Sequence, residues 1–144
     1  MTKRSVVGLL VASALAGVGV AAAAGPDSRE SFPLPAGGNF NGIRWPQDET
    51  LEPPVVEATQ AYNAACQWLR AWRDGRDDRA LAMLADIPSW PAIEAAGSAP
   101  VLALVAKEAA AGGGETVAGV LAACDASHAR EVSYARAQRL TPSS

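Results

Sequence analysis

The chain has 144 residues, of which 49% are hydrophobic, and its 12 basic and 15 acidic side chains give a net charge of −3 at pH 7. This slightly acidic balance lacks the electrostatic footprint that nucleic-acid binding requires, so we expect no nucleic-acid partner. The charges are spread along the chain instead of forming an acidic tail, and no internal repeat is visible.

Residues 1–24 have the organisation of a secretory signal peptide. Lys3 and Arg4 precede an uncharged stretch, residues 6–24, that ends in small residues of the kind a signal peptidase recognises. The alternative is an uncleaved membrane anchor, since 19 residues of helix span roughly 28 Å. In both cases the basic N-terminus stays inside and the remainder is exported, so we predict a secreted or cell-envelope protein.

Residues 25–53 are predicted to form an extended, Pro/Gly-rich tether. Five prolines prevent a continuous helix, and Gly37–Gly38 and Asn41–Gly42 favour turns. Four large apolar residues are unusual in a linker, and we therefore predict that residues 40–45 lie across the helical domain as a latch. The alternatives are a recognition segment for another protein and plain disorder. The four apolar residues are Phe32, Phe40, Ile43 and Trp45.

Residues 54–140 are predicted to form a helical domain, followed by a disordered tail at residues 141–144. The first helix begins at Pro54, where a missing N–H is harmless, and ends at Gly75 as its C-cap residue. Apolar residues recur along it every three or four positions and predict one buried stripe. The stripe consists of Val55, Ala58, Tyr62, Ala65, Leu69 and Trp72.

The remaining elements are predicted from helix start and stop signals. Asp77 or Asp78 caps a second helix that Pro88 stops, and a short helix follows between Ser89 and Ala95. We predict two long helices flanking two or three short ones, an all-α fold, because no alternation of period two is present. The last two helices run from Pro100 to Gly112, with Val101, Leu104 and Val105 on one face, and from Glu115 to about Arg139.

The two cysteines predict a disulfide between the long helices. Cys66 and Cys124 both lie on or beside an apolar stripe, and an exported chain with two cysteines is expected to oxidise them. Chain entropy gives such a bond roughly 4 kcal/mol of stabilisation. The alternative is a pair of isolated buried thiols.

A metal site is a second alternative for these cysteines. Cys124 and His128 are four residues apart and share a helix face, while Cys66 and Asp125 could complete a ligand set. Zinc needs free thiolates, which an oxidising compartment disfavours. We therefore predict neither a metal nor a cofactor, and the absence of C-x-x-C-H excludes covalent haem attachment.

No catalytic motif is present. Ser127 is adjacent to the single histidine, His128, but neighbouring residues diverge by about 100° around a helix. The signatures of α/β-hydrolases, P-loops, dinucleotide folds and zincins are absent. We predict that the protein is not an enzyme, because a catalytic site would need His128, Asp86 and Glu94 to converge. The acidic residues Asp74, Asp77, Asp78 and Asp86 alternate with arginines and predict a solvated, salt-bridged corner.

Four tryptophans suggest a binding surface. An aromatic platform of this size stacks on glycans or peptides, but we favour the interpretation that these side chains fill an alanine-rich core. If they belong to the core, Trp68 or Trp90 is the member we expect to be exposed. The speculative binding residues are Trp68, Trp72, Trp90 and Trp45.

The sequence thus predicts an exported, non-catalytic helical domain that acts through protein–protein contacts with an envelope or secreted protein, or with itself. The alternative is an extracytoplasmic ligand- or glycan-binding module that uses its tryptophans. Contact with a membrane is expected only if the N-terminal segment remains uncleaved.

Overall fold

The computed structural model describes residues 32–144, so the predicted signal peptide and the start of the predicted tether lie outside the described residues. Every regular element within residues 32–144 is a helix, and this range contains no strand. The prediction of an all-α fold is confirmed for this part of the chain. None of the helices found there has the length and apolarity needed to cross a membrane.

Two long helices and three shorter ones form the domain. The long helices have 23 residues each, and the first of them contacts the second long helix and two of the short ones. In chain order the helices are α1 (Pro53–Gly75), α2 (Asp78–Asp86), a 3₁₀ helix (Ile87–Ser89), α3 (Pro91–Ala95), α4 (Ala99–Ala110) and α5 (Glu115–Ala137).

The junction between α1 and α2 shows how the chain ends one helix and begins the next. The side chain of Asp77 accepts a hydrogen bond of 2.6 Å from the amide of Ala80, as an N-cap should. The prediction of Gly75 as the C-cap residue is wrong by one position, because Arg76 adopts the left-handed conformation with φ of 52°. The guanidinium of Arg76 lies 4.3 Å from the ring centroid of Trp72, which helps to offset the cost of this backbone conformation.

The buried face of α1 differs from the predicted stripe in its first half. Val55 and Tyr62 are 50% and 40% exposed, whereas Ala61 and Ala64 are fully buried. Small alanine side chains allow close packing, and apolar spacing alone gives them little weight. The second half of the stripe, which ends in Leu69 and Trp72, is buried as predicted.

The buried face of α4 also differs from the prediction. Val101 and Leu104 are each 44% exposed, and only Val105 of the predicted face is buried. Leu102 and Ala109 complete the face that packs into the core. Because apolar residues surround most of this helix, periodicity does not distinguish its inner face from its outer face.

Residues 32–52 are irregular, and the first part of this segment, residues 32–40, packs along α1. The indole N–H of Trp68 donates a 2.8 Å hydrogen bond to the carbonyl oxygen of Pro33. The side-chain amide of the adjacent residue, Gln67, donates to the carbonyl oxygen of Asn39, also at 2.8 Å. These bonds satisfy polar groups on a buried side of α1. The apolar side chains of the segment that pack against the core are Phe32, Leu34 and Phe40.

The prediction of a disordered tail at residues 141–144 is wrong. The side-chain amide of Asn41 donates to the carbonyl oxygen of Thr141 at 2.9 Å. Arg70, only 5% exposed, donates a 2.7 Å hydrogen bond to the carbonyl oxygen of Ser144. A buried guanidinium is costly without an acceptor, and the tail provides one.

The predicted disulfide is confirmed. Cys66 of α1 and Cys124 of α5 are bonded, and their Cα atoms are 5.3 Å apart. Cys124 is 2% exposed, so the bond reaches into the core. It therefore joins the two long helices where they pack against each other.

Replacing both cysteines with alanine should lower the free energy of unfolding by about 4 kcal/mol. The bond closes a loop between residues 58 positions apart, and its loss releases the corresponding chain entropy in the unfolded state. Urea unfolding of both proteins, with and without reducing agent, measures the effect. Reduction should destabilise the wild-type protein and leave the double variant unchanged; equal stability of oxidised and reduced wild type would contradict the prediction.

Gly42→Ala should weaken the packing of the irregular segment against α5. A Cβ atom at this position would lie 2.5 Å from the Cβ and 3.1 Å from the Cα of Glu131, where backbone limits any adjustment. We expect faster tryptic cleavage after the exposed Arg44. Gly119→Ala is the control, because open space surrounds that helical position, and it should stabilise α5 by about 0.5–1 kcal/mol. Unchanged cleavage in Gly42→Ala would show that the segment does not need this close approach.

Candidate functional site

An open groove lies between residues 42–44, the first half of α1 and the second half of α5. Its volume is about 1000 Å³, at the upper end of the range for ligand sites. Hydroxyl, amide, charged and aromatic side chains line it together. The side chains with the most capacity for binding are Arg44, Tyr62, Asn63, Arg130, Glu131 and Tyr134.

The walls of this groove are positioned by two close approaches of the backbone. The Cys66–Cys124 bond ties α1 to α5, and Cys66 itself lines the groove. At the other wall, Gly42 packs so closely on Glu131 that a larger residue would collide with α5. Together these contacts place residues 42–44, α1 and α5 around the groove.

A second, smaller cavity lies on the other side of Tyr62 and Cys66, which line both cavities. It measures about 150 Å³ and is surrounded by apolar side chains of α1, α2, the 3₁₀ helix, α4 and α5. Leu69, Ile87 and Val105 are at most 2% exposed, so the cavity extends into the core. We call it the apolar pocket.

The acidic residues predicted to form a salt-bridged corner have separate structural roles. Arg73 pairs with Asp74 at 2.9 Å and with Asp125 of α5 at 2.6 Å. The hydrogen bond from Arg73 lowers the pKa of the Asp125 carboxyl below its usual value. Asp77 caps α2, and Asp86 accepts a hydrogen bond from an indole. These carboxylates therefore fix helices and do not face one another as a catalytic pair.

His128 lies at the packed boundary between α1 and α5. It is half-buried, and its Nδ1 atom has no hydrogen-bond partner. Burial lowers the pKa of His128, and the positive charge of Arg70 lowers it further. The hydroxyl of the adjacent Ser127 accepts a 3.2 Å hydrogen bond from Arg130 and donates none to Nδ1 of the imidazole.

The metal alternative for this region is wrong. The disulfide uses the sulfur atoms of Cys66 and Cys124, and Asp125 is bonded to Arg73. His128 is therefore left without the thiolate partners that the hypothesis required. Within residues 32–144, no group of three or more His, Cys, Asp or Glu side chains is arranged to hold a metal ion.

The tryptophans do not form a binding platform. Trp68, Trp72 and Trp90 are 2%, 4% and 8% exposed, and all three belong to the core. The expectation that Trp68 or Trp90 would be exposed is wrong, because the irregular segment covers them: the ring of Phe32 packs 5.2 Å from that of Trp90. Trp45 is half-buried and lies apart from this core cluster.

Tyrosines, not tryptophans, line the groove. Sequence reasoning assigned Tyr62 to the buried stripe of α1 and gave no role to Tyr134. The positive charges of the groove, Arg44 and Arg130, were missed as well. Nothing in their spacing indicates a shared site, since the groove depends on how α1, α5 and the irregular segment pack.

Comparison of the chain with protein-family models, with curated proteins and with solved structures finds no match in any of the three. Its function is therefore inferred from the groove, the apolar pocket and the disulfide between them. These features share Cys66 and so form one continuous part of the molecule.

Stability should fall as the pH drops below about 6.5, through the titration of His128. The unfolded chain protonates this histidine near its ordinary pKa, while the folded protein, with its lowered pKa, resists protonation until a lower pH. The stabilisation is therefore complete above pH 6.5 and is lost towards the folded-state pKa. The charged groups that act on the imidazole are Arg70, Glu131, Asp125 and Arg73.

Urea midpoints of the wild-type protein and of His128→Gln at pH 7.5 and pH 5.5 measure this effect. The wild-type midpoint should decrease at pH 5.5, and the variant should lose most of that decrease. Asp125 does not interfere, because its lowered pKa places its titration well below this window. The same pH dependence in both proteins would contradict the assignment to His128.

Proposed function

We propose that this protein is an exported, non-catalytic helical domain that binds an extended segment of another protein in the groove between α1 and α5. The observation that carries the proposal is the groove itself, whose volume of about 1000 Å³ and open shape accommodate an extended chain segment. Its open side leaves room for a polypeptide to enter and leave.

The side chains of the groove favour an acidic partner. Arg44 and Arg130 are exposed there, against the single carboxylate of Glu131. Guanidinium groups form paired hydrogen bonds with carboxylates and are frequent at protein interfaces. Tyr62 and Tyr134 supply aromatic surface with a polar end, which is typical of the residues that dominate binding energy.

Export is supported by two independent features. The charged and apolar pattern of residues 1–24 is that of a signal peptide or anchor, although it lies outside the described residues. The Cys66–Cys124 disulfide is the kind of bond that persists in an oxidising compartment. The extracytoplasmic space, as a secreted or envelope protein, is the proposed location.

The non-catalytic assignment is supported by the surroundings of the groups that a hydrolase would use. The hydroxyl of Ser127 accepts a hydrogen bond from Arg130 and donates none to Nδ1 of His128, the bond that a serine nucleophile would make to its base. Asp86, which a catalytic site would have required, is hydrogen-bonded to Trp90 and Ser89 in a helical turn. These groups stabilise helices and show no common orientation towards one cavity.

A second candidate function is the binding of a glycan in the same groove. Tyr62 and Tyr134 favour it, because aromatic rings stack on sugars and the hydroxyl and amide groups nearby can bond to them. In this candidate the tyrosines replace the tryptophans that the sequence suggested, three of which are buried.

A photo-crosslinking amino acid at position 134 should form an adduct with one partner protein in cells that express the full chain. The same group at the exposed position 95 of α3 is the control and should form none. Mass spectrometry should map the adduct to an acidic segment. Arg130→Glu should reduce the adduct at least about tenfold, because it places like charges together.

Arg136→Glu is the matched control for charge, since Arg136 is exposed on the same helix but outside the groove. It should leave the adduct unchanged. A glycan adduct at position 134 would replace the protein partner with the second candidate. Equal crosslinking from positions 134 and 95 would contradict a specific groove ligand of either kind.

A further inference from the structure

The apolar pocket has the construction of a ligand site and not of a surface depression. It opens between Tyr62 and Val101, which are 40% and 44% exposed, and it ends on Leu69, Ile87 and Val105, which are almost completely buried. Side chains from α1, α4 and α5 and from the 3₁₀ helix surround it. A small molecule can therefore reach a space that is enclosed by the core.

We propose that this pocket binds a compact apolar molecule of about the size of benzene. Its volume of about 150 Å³ equals that of engineered protein cavities that bind benzene or xenon. A larger fused-ring compound would not fit without displacing core side chains. The proposal is independent of the partner segment proposed for the groove.

The chemistry of the walls favours an apolar occupant over water. Tyr62 carries the only hydroxyl group among the side chains that line the pocket, and the remaining lining consists of aliphatic groups and the disulfide sulfurs. A bound water normally needs two to four polar partners. Water is therefore held poorly there, and its replacement by an apolar molecule is favourable.

The disulfide forms part of the pocket wall. Cys66 and Cys124 both line the pocket, and their bond holds α1 close to α5, with Cα atoms 5.3 Å apart. The wall therefore includes the covalent link between the two long helices.

Isothermal titration and methyl NMR with benzene, and NMR with xenon, test the proposal on the full-length oxidised protein. We expect saturable benzene binding with a dissociation constant of about 1 mM or lower. The methyl resonances of Leu69, Ile87 and Val105 should shift on binding, because these side chains form the inner wall.

Two substitutions of Ala65, which lines the pocket, provide a graded test. Ala65→Val should weaken benzene binding several-fold, and Ala65→Leu should weaken it at least tenfold by filling the space. Ala103→Leu adds the same atoms at an exposed position of α4 outside the pocket and should bind as the wild type does. The valine variant keeps the test valid if the leucine variant does not fold.

The absence of saturable binding by the wild-type protein would overturn the proposal. This result is also expected if the pocket accepts only the side chain of a bound partner protein. Equal affinity of wild type and a folded Ala65 variant would likewise overturn it. Arg130→Glu should leave benzene binding unchanged, which separates a failure of this proposal from a failure of the groove.

Discussion

The Cys66–Cys124 bond between α1 and α5 is the constraint on which the rest of this structure depends. The two long helices supply walls of both cavities, and Cys66 lines the groove on one side and the apolar pocket on the other. In a small domain whose central helix buries several alanines, hydrophobic burial is limited and a covalent link contributes a large share of stability. The same bond therefore stabilises the domain and forms part of the walls of the two cavities proposed to bind ligands.

The irregular parts of the chain cover the side of α1 that the other helices leave uncovered. Two irregular segments, residues 32–44 and 141–144, cover one side of α1. Gln67 and Arg70 are buried there and donate hydrogen bonds to backbone carbonyl groups of these segments. These side-chain nitrogens on a buried helix face thereby have acceptors without a further helix. Residues 42–44 also form one wall of the groove, so the same segment that protects the core contributes to the candidate site.

The helices were predictable because their ends carry local signals. Asp77 and Pro88 define α2 through capping and a missing N–H, and two cysteines on apolar helix faces, behind an N-terminus that predicts export, were sufficient to predict their bond. The inner face of α4, by contrast, depends on tertiary packing, since apolar residues occupy most of its surface. The groove could not be predicted for the same reason: Arg44, Tyr62 and Tyr134 are far apart in sequence and meet only in the folded chain.

Hydrogen–deuterium exchange of the oxidised and reduced protein tests most directly whether the disulfide maintains the binding surfaces. The account predicts that reduction accelerates amide exchange in all helices and most strongly in residues 42–44, in the first half of α1 and along α5. This pattern would link both cavities to the Cys66–Cys124 bond. Unchanged exchange around the groove after reduction would contradict the central role assigned to that bond.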